Sequence, residues 1–187
     1  MKRAFFISLI FSVFAIFLQA STSKAYYESG ELHFIYNYEN GQKNGITQEF
    51  SKDNKLIAEW NFKNDVLNGV SKKYTKSGAL KSEINFVNGT QEGITKKYDD
   101  IGALQYELNY KNGKLNGISK EYKNGALYAE WNYVDSVKDG VSKVFYPNGK
   151  VKYELTYKNG KLNGISKEYY ETGILKAEWE YKDGELK

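Results

Sequence analysis

Between Leu104 and Tyr110 the side chains alternate: Leu104, Tyr106, Leu108 and Tyr110 are apolar or aromatic, and Gln105, Glu107 and Asn109 between them are polar. A period of two over such a run is the mark of a strand covered on one face and wet on the other. The same alternation returns as Leu56, Ala58, Trp60, Phe62; as Leu80, Ser82, Ile84, Phe86; as Leu127, Ala129, Trp131, Tyr133; as Val151, Tyr153, Leu155, Tyr157; and as Leu175, Ala177, Trp179, Tyr181. Each of these strands runs into a glycine-rich turn, such as Lys111-Asn112-Gly113-Lys114-Leu115-Asn116-Gly117, and then into a shorter strand, Ile118 to Tyr122. Two strands joined in this way predict a hairpin. A further turn, Lys123-Asn124-Gly125, leads into the next long strand, and no segment from residue 26 onward shows helical spacing. The expected fold is all-β: an elongated antiparallel meander of about seven 24-residue hairpin units.

The glycines carry the period. One series runs Gly30, Gly78, Gly102, Gly125, Gly149, Gly173 with Asn54 in its second slot, and another runs Gly45, Gly69, Gly93, Gly117, Gly140, Gly164. Asn is the residue other than Gly that most readily accepts a left-handed backbone, so the slot held by Asn54 is expected to need positive φ. Fixed spacing of 20–50 residues marks stacked supersecondary units, none of which can bury its apolar face alone. Side-chain volume also alternates from unit to unit, from Tyr106 with Leu108 to Ala129 with Trp131, then Tyr153 with Leu155 and Ala177 with Trp179. If equivalent strands lie side by side, large side chains fit beside small ones.

Three places break the pattern. The second unit carries Asp65-Val66-Leu67 where an insert is expected. The fifth has Ser136 for the turn glycine and one residue fewer before Gly125, which predicts a kink through Val134 to Asp139. The last strand, Ile174 to Tyr181, has no second strand after it, so an open edge is expected there, either guarded by Lys176, Lys182 and Lys187 or used for self-association or a partner strand.

The first 25 residues differ from the rest. Met1-Lys2-Arg3 is basic, Ala4 to Leu18 is apolar apart from Ser8 and Ser12, and Ser23-Lys24-Ala25 is a small-x-small site. Together these predict a secretory signal over residues 1–25 and a repeat domain over 26–187, exported to the periplasm, the cell surface or the medium; an uncleaved membrane anchor is the alternative. The charge balance changes with that cut. The whole chain carries 27 basic and 23 acidic side chains, but Lys2, Arg3 and Lys24 precede the site and no acid does, leaving 24 basic against 23. The chain after the site also has no Arg, so the forked contacts that read phosphates and guanines are missing, and nucleic acid is not expected as a partner. With no Cys, an exported chain of this kind must rely on packing.

Catalytic parts are sparse. His33 is the single histidine, read as a surface residue on the polar side of its strand, with no Cys or second His to share a metal. Glu59, Glu83, Glu107, Glu130, Glu154 and Glu178 recur once per unit on the polar face. A ladder of equivalent carboxylates does not supply the unlike environments that an acid–base pair needs. Their expected partners are lysines on adjacent second strands, such as Lys97 or Lys120. Trp60, Trp131 and Trp179 share one repeat position and would form an aromatic row able to stack a sugar ring or contact lipid headgroups. The tryptophans and the glutamates are the candidate interaction surface. No catalytic residue, metal site or cofactor is expected.

The pattern Gly-x-Leu-x-x-Glu-x-x-Tyr-x-x-Gly-x-x-x-Gly-Ile-x-x-x-Tyr at Gly102 to Tyr122 resembles the bacterial variant of the MORN repeat, from about Tyr27 to the end. The resemblance implies a long twisted sheet of hairpins engaged in protein or membrane-surface interaction. Many bacterial members are labelled as similar to YwqK-type antitoxins. The function expected is a non-enzymatic, exported scaffold for a protein partner, with a glycan or host-surface binder, or an antitoxin-like immunity protein, as alternatives.

Overall fold

The computed structural model describes residues 19–187, and they form one 21-stranded antiparallel sheet without a helix. Most of the expected signal, up to Leu18, lies outside the described residues. The strands follow one another across the sheet in chain order. In the fourth unit Leu104–Lys111 pairs forward with the two-residue strand Lys114–Leu115 and with Gly117–Lys123, and the latter pairs with Ala126–Val134.

The glycine-rich segment is therefore more than a turn. Asn112 and Gly113 have φ of 51° and 76°, the paired left-handed conformation of a two-residue type I′ hairpin turn. Lys114 and Leu115 then return to the ladder opposite Lys111 and Tyr110, and Asn116-Gly117 bulges out before the second strand resumes with Lys120 opposite Glu107 and Glu121 opposite Tyr106. At the other edge of the sheet the turns are wider. In the Ser51 to Lys55 turn Asn54 has a φ of 54°, as its place in the glycine series requires.

The two irregular turns turn out to be regular. Asn64-Asp65 and Asp135-Ser136 are also type I′ turns, and Val66–Leu67 and Val137–Lys138 return to the ladder in the usual register. Nothing is inserted at Asp65-Val66-Leu67, and the ladder keeps its usual register from Val134 to Lys138. The reason lies in the side chains that replace glycine. Each I′ turn after the first donates a backbone N–H to the short strand of the unit before it, as Gly113 does to Gln91 O at 2.9 Å and Ser136 to Leu115 O at 2.8 Å. Asp65 Oδ1 and Ser136 Oγ add an acceptor glycine lacks, taking the N–H of Lys43 at 2.8 Å and of Leu115 at 3.0 Å. The missing residue before Gly125 is absorbed at the opposite edge instead. There Asn124-Gly125 makes a tight turn, and the strands on either side lengthen until Lys123 pairs with Ala126.

The core is a column of hydroxyl groups. Thr47, Ser71, Thr95, Ser119, Ser142 and Ser166, one on each second strand, are no more than 2% exposed, whereas the buried apolar side chains are Ala58, Ala129 and Val144. Ser71, Ser119, Ser142 and Ser166 accept the backbone N–H of Asn61, Asn109, Asn132 and Thr156, at 3.1 to 3.3 Å. Those N–H groups lie beside the bulge before each second strand, Asn-Gly in three of these units and Asp139-Gly140 in the fifth, and a buried N–H without a partner is costly. Smallness matters as well. A second strand lies between any two equivalent long strands, so Trp131 does not sit directly beside Leu108 or Leu155; it lies opposite Ser119, whose short side chain leaves room for large neighbours to close over it.

Candidate functional site

Alternation places the two sets of sequence candidates on opposite faces. Trp60, Trp131 and Trp179 lie opposite Thr47, Ser119 and Ser166, on the face of the hydroxyl column. The glutamates lie opposite Gln48, Lys72, Lys96, Lys120, Lys143 and Lys167 on the other face. The register corrects one expected pairing: Lys96 is the residue opposite Glu107, and Lys97 faces Tyr106 on the aromatic side. Ion pairs span 4.0 Å from Lys72 to Glu83, 3.6 Å from Lys143 to Glu154 and 3.7 Å from Lys167 to Glu178. Between exposed groups such pairs add little stability.

The stronger partners of the glutamates are phenols. Tyr74, Tyr98, Tyr122 and Tyr169 donate their hydroxyls to Glu59, Glu83, Glu107 and Glu154 at 2.7 to 3.1 Å, each from the second strand of the same hairpin. Burial, followed by the hydrogen bond to glutamate, pushes the hydroxyls of Tyr74 and Tyr122 up to about 12 and raises that of Tyr98. For Tyr169 the hydrogen bond to Glu154 is the larger cause. In the unfolded chain these phenols ionise near 10. Above that pH the unfolded state holds fewer protons than the folded one, so stability falls from about pH 10 to about pH 12. Replacing Tyr74 and Tyr122 by Phe is expected to flatten that fall, read as denaturation midpoint against pH; an unchanged slope would mean the phenols do not couple to folding.

This face is not simply polar. Val70, Ile94, Ile118, Val141 and Ile165 run along it, each about half exposed. Phe145 replaces Tyr in the fifth unit, so Glu130 receives no phenol hydrogen bond there.

On the other face the three tryptophans are half-buried, and two of them are already engaged. Trp60 and Trp131 donate Nε1–H to Glu49 and Glu121 at 2.8 and 3.1 Å. Lys73 Nζ lies 5.1 Å from the Trp60 ring, and Lys138 Nζ lies 3.4 Å from the Trp131 ring and 5.2 Å from that of Tyr157. Burial lowers the Lys138 ammonium from its ordinary value. His33 does not sit on the polar side as expected. It is the extra residue of a bulge, stacked on Tyr27 at 3.9 Å with Nε2 3.9 Å from Glu49 on the aromatic side.

One concavity has its own chemistry. A groove of about 510 Å³ opens at the wide-turn edge between the fifth and sixth units, where the tight Asn124-Gly125 turn draws the edge back. Its floor includes Val144 and Phe145, and its walls include Tyr128, Tyr146, Pro147 and Tyr153. Lys123 Nζ lies 3.3 Å from the Tyr128 ring, and Lys152 Nζ lies 5.2 Å from that of Tyr153. Tyr128 and Lys152 are the extra residues of their bulges, which turns them toward this edge. Val144 stands where other units have Glu49, Lys73, Lys97, Glu121 or Glu168, and Pro147 is the chain's single proline. Sequence reasoning missed the groove, although the 23-residue step, the proline and Val144 all mark this spot. The open edge is also narrower than expected. Glu185–Leu186 pairs back onto Tyr181 and Lys182, Lys187 N–H reaches Glu180 O at 3.0 Å, and at this end of the sheet Leu175 to Trp179 is the stretch without an outer strand among the described residues.

The model of the MORN repeat variant matches six segments, residues 22–40, 43–64, 67–88, 91–112, 138–159 and 162–183, together more than half of the chain. The chain belongs to the MORN repeat variant family. This is not an enzyme family. The matches leave out residues 113–137, which hold the tight turn and Ser136, yet the ladder register of this MORN-variant array continues through them. No curated protein matches the chain significantly in sequence.

Proposed function

We propose that this MORN-variant array is an exported, non-catalytic scaffold that holds a protein partner in the envelope or outside the cell, with the groove between the fifth and sixth units as its principal contact. The observation that carries this reading is the placement of apolar side chains at the one site where the repeat changes. Val144 replaces a charged residue there, beside three tyrosines and a proline, and an apolar pocket rimmed by charge is how interaction anchors are built. The single-layer sheet supports the reading too, because it presents both faces to a neighbour along its length. The edge from Leu175 to Trp179 is a second place for strand addition, either by a partner or by another copy.

Val144→Glu tests the groove, since glutamate occupies the equivalent position in three other units and the fold accommodates it. The mature chain and this variant would be compared by quantitative capture from envelope extract. The expected result is a specific protein whose recovery drops about tenfold or more with the variant, and equal recovery would contradict the assignment. A glycan reading is favoured by the tyrosine rings set beside the amines of Lys123 and Lys152, which suit a sugar bearing a carboxylate. Titration with uronic-acid oligosaccharides would reveal it as heat lost in the same variant.

A further inference from the structure

Residues 20–26 form a strand, Ala20–Tyr26, here β1, antiparallel to β2, Leu32–Glu39. Ser23 lies opposite Tyr36, Ala25 opposite Phe34, and Tyr26 opposite Leu32 across a bulge. That is the register of every later second strand, with Ser71 opposite Ile84, Lys73 opposite Ser82, and Tyr74 opposite Leu80 across a bulge. The following turn also repeats, since Tyr27 N–H reaches Glu31 O and Gly30 N–H reaches Tyr27 O, as Thr75, Ala79 and Gly78 do later. The residues repeat as well. Ser23-Lys24-Ala25-Tyr26 is a copy of Ser71-Lys72-Lys73-Tyr74, Ser119-Lys120-Glu121-Tyr122, Ser142-Lys143-Val144-Phe145 and Ser166-Lys167-Glu168-Tyr169. The first family match begins at Thr22, ahead of Ala25.

The small-x-small site is therefore accounted for by the array. Its serine takes the register position of the hydroxyl column, although at this end of the sheet it is exposed, its lysine that of the outer face, and Ala25 that of Lys73 or Glu121. It carries no separate evidence of processing. Nearer the apolar run, the small residue is Ala20, in Leu18-Gln19-Ala20, and the strand positions that match the repeat begin just after it. We infer that the export peptidase cuts between Ala20 and Ser21, so that β1 stays in the mature protein as a half-unit covering the backbone edge of β2. Water adds across that amide, leaving a carboxylate on Ala20 and an amine on Ser21. Keeping β1 pairs the backbone of β2, which otherwise offers an open edge carrying Phe34, Tyr36 and Tyr38.

The inference rests on the export reading, and the experiment separates the two. The full chain is expressed in a bacterium with a functional secretion pathway, and the exported protein is analysed by intact mass and N-terminal sequencing. A mature chain starting at Ser21 is expected. A start at Tyr26, or a chain retaining Met1 in the envelope fraction, would overturn the site and leave export standing, whereas a chain retaining Met1 and found only in the cytoplasm would overturn both. Two variants sharpen the result. Ala20→Lys should stop processing, and Ala25→Lys, which installs the residue found at positions 73 and 97, should leave the Ser21 terminus unchanged. The opposite pattern would assign the cut to Ala25.

Discussion

Ser119→Val is expected to be among the most destabilising single substitutions in the sheet, although it exchanges one small residue for another of high strand propensity. Ser119 is 1% exposed and its Oγ accepts the Asn109 N–H at 3.1 Å. Valine leaves that N–H buried without a partner, at a cost of roughly 1 to 3 kcal/mol. The bulk itself is accommodated at equivalent positions, where Thr47 and Thr95 are just as buried, so the lost acceptor carries the cost. Urea denaturation would show a lower midpoint, with Ser119→Ala lowered as well because it also loses the acceptor, and Ser119→Thr, which keeps the hydroxyl, close to wild type. A Ser119→Val protein as stable as wild type would mean the column is not needed as an acceptor. In a repeat array the loss should be felt along the sheet, because each unit is held by its neighbours.

That column shows where reading from sequence succeeded and where it did not. The strand alternation, the period, the left-handed slot at Asn54 and the hairpin order were all legible, because each follows from local chemistry repeated many times. Ser119 was not. A serine between Ile118 and Lys120 reads as a polar strand position, and only the Asn116-Gly117 bulge, beside which the Asn109 N–H lies, makes a buried hydroxyl useful there. Parity failed for a similar reason at Lys96 and Lys97. Adjacent lysines look alike until the cross-strand register assigns one to Glu107 and the other to Tyr106. At Ser136 the expectation of a kink treated the lost glycine as a defect, whereas the serine hydroxyl accepts the Leu115 N–H and keeps the turn in place. The candidate site was legible only in its parts. The tryptophans and glutamates were each found by period, but which face they share depends on register, and the groove arises from a deletion whose effect appears at the opposite edge from the one expected.

The second large effect is expected from removing β1. A chain beginning at Tyr26 should self-associate, whereas one beginning at Ser21 should not do so through this edge. In the longer chain, the ladder from Ser21 to Tyr26 covers β2 from Leu32 to Tyr38, and Thr22 Oγ1 donates to Asn37 Oδ1 at 3.1 Å. Without it, a row of unpaired N–H and C=O groups is exposed next to Phe34, Tyr36 and Tyr38, which is the arrangement that templates strand addition. Two such edges can pair antiparallel about a twofold axis, because the surface is the same on both copies. Light scattering after size exclusion should show a concentration-dependent dimer for the 26–187 chain, along with a lower denaturation midpoint at low concentration. The C-terminal edge is the internal control: it is identical in both chains, and there Lys176 pairs back with Glu168 and Lys187 with Glu180, setting charge along the strand. Dimerisation confined to the shorter chain would place the contact at β2, whereas equal association would mean that covering β2 with β1, whose own outer side is unpaired among the described residues, gives no protection.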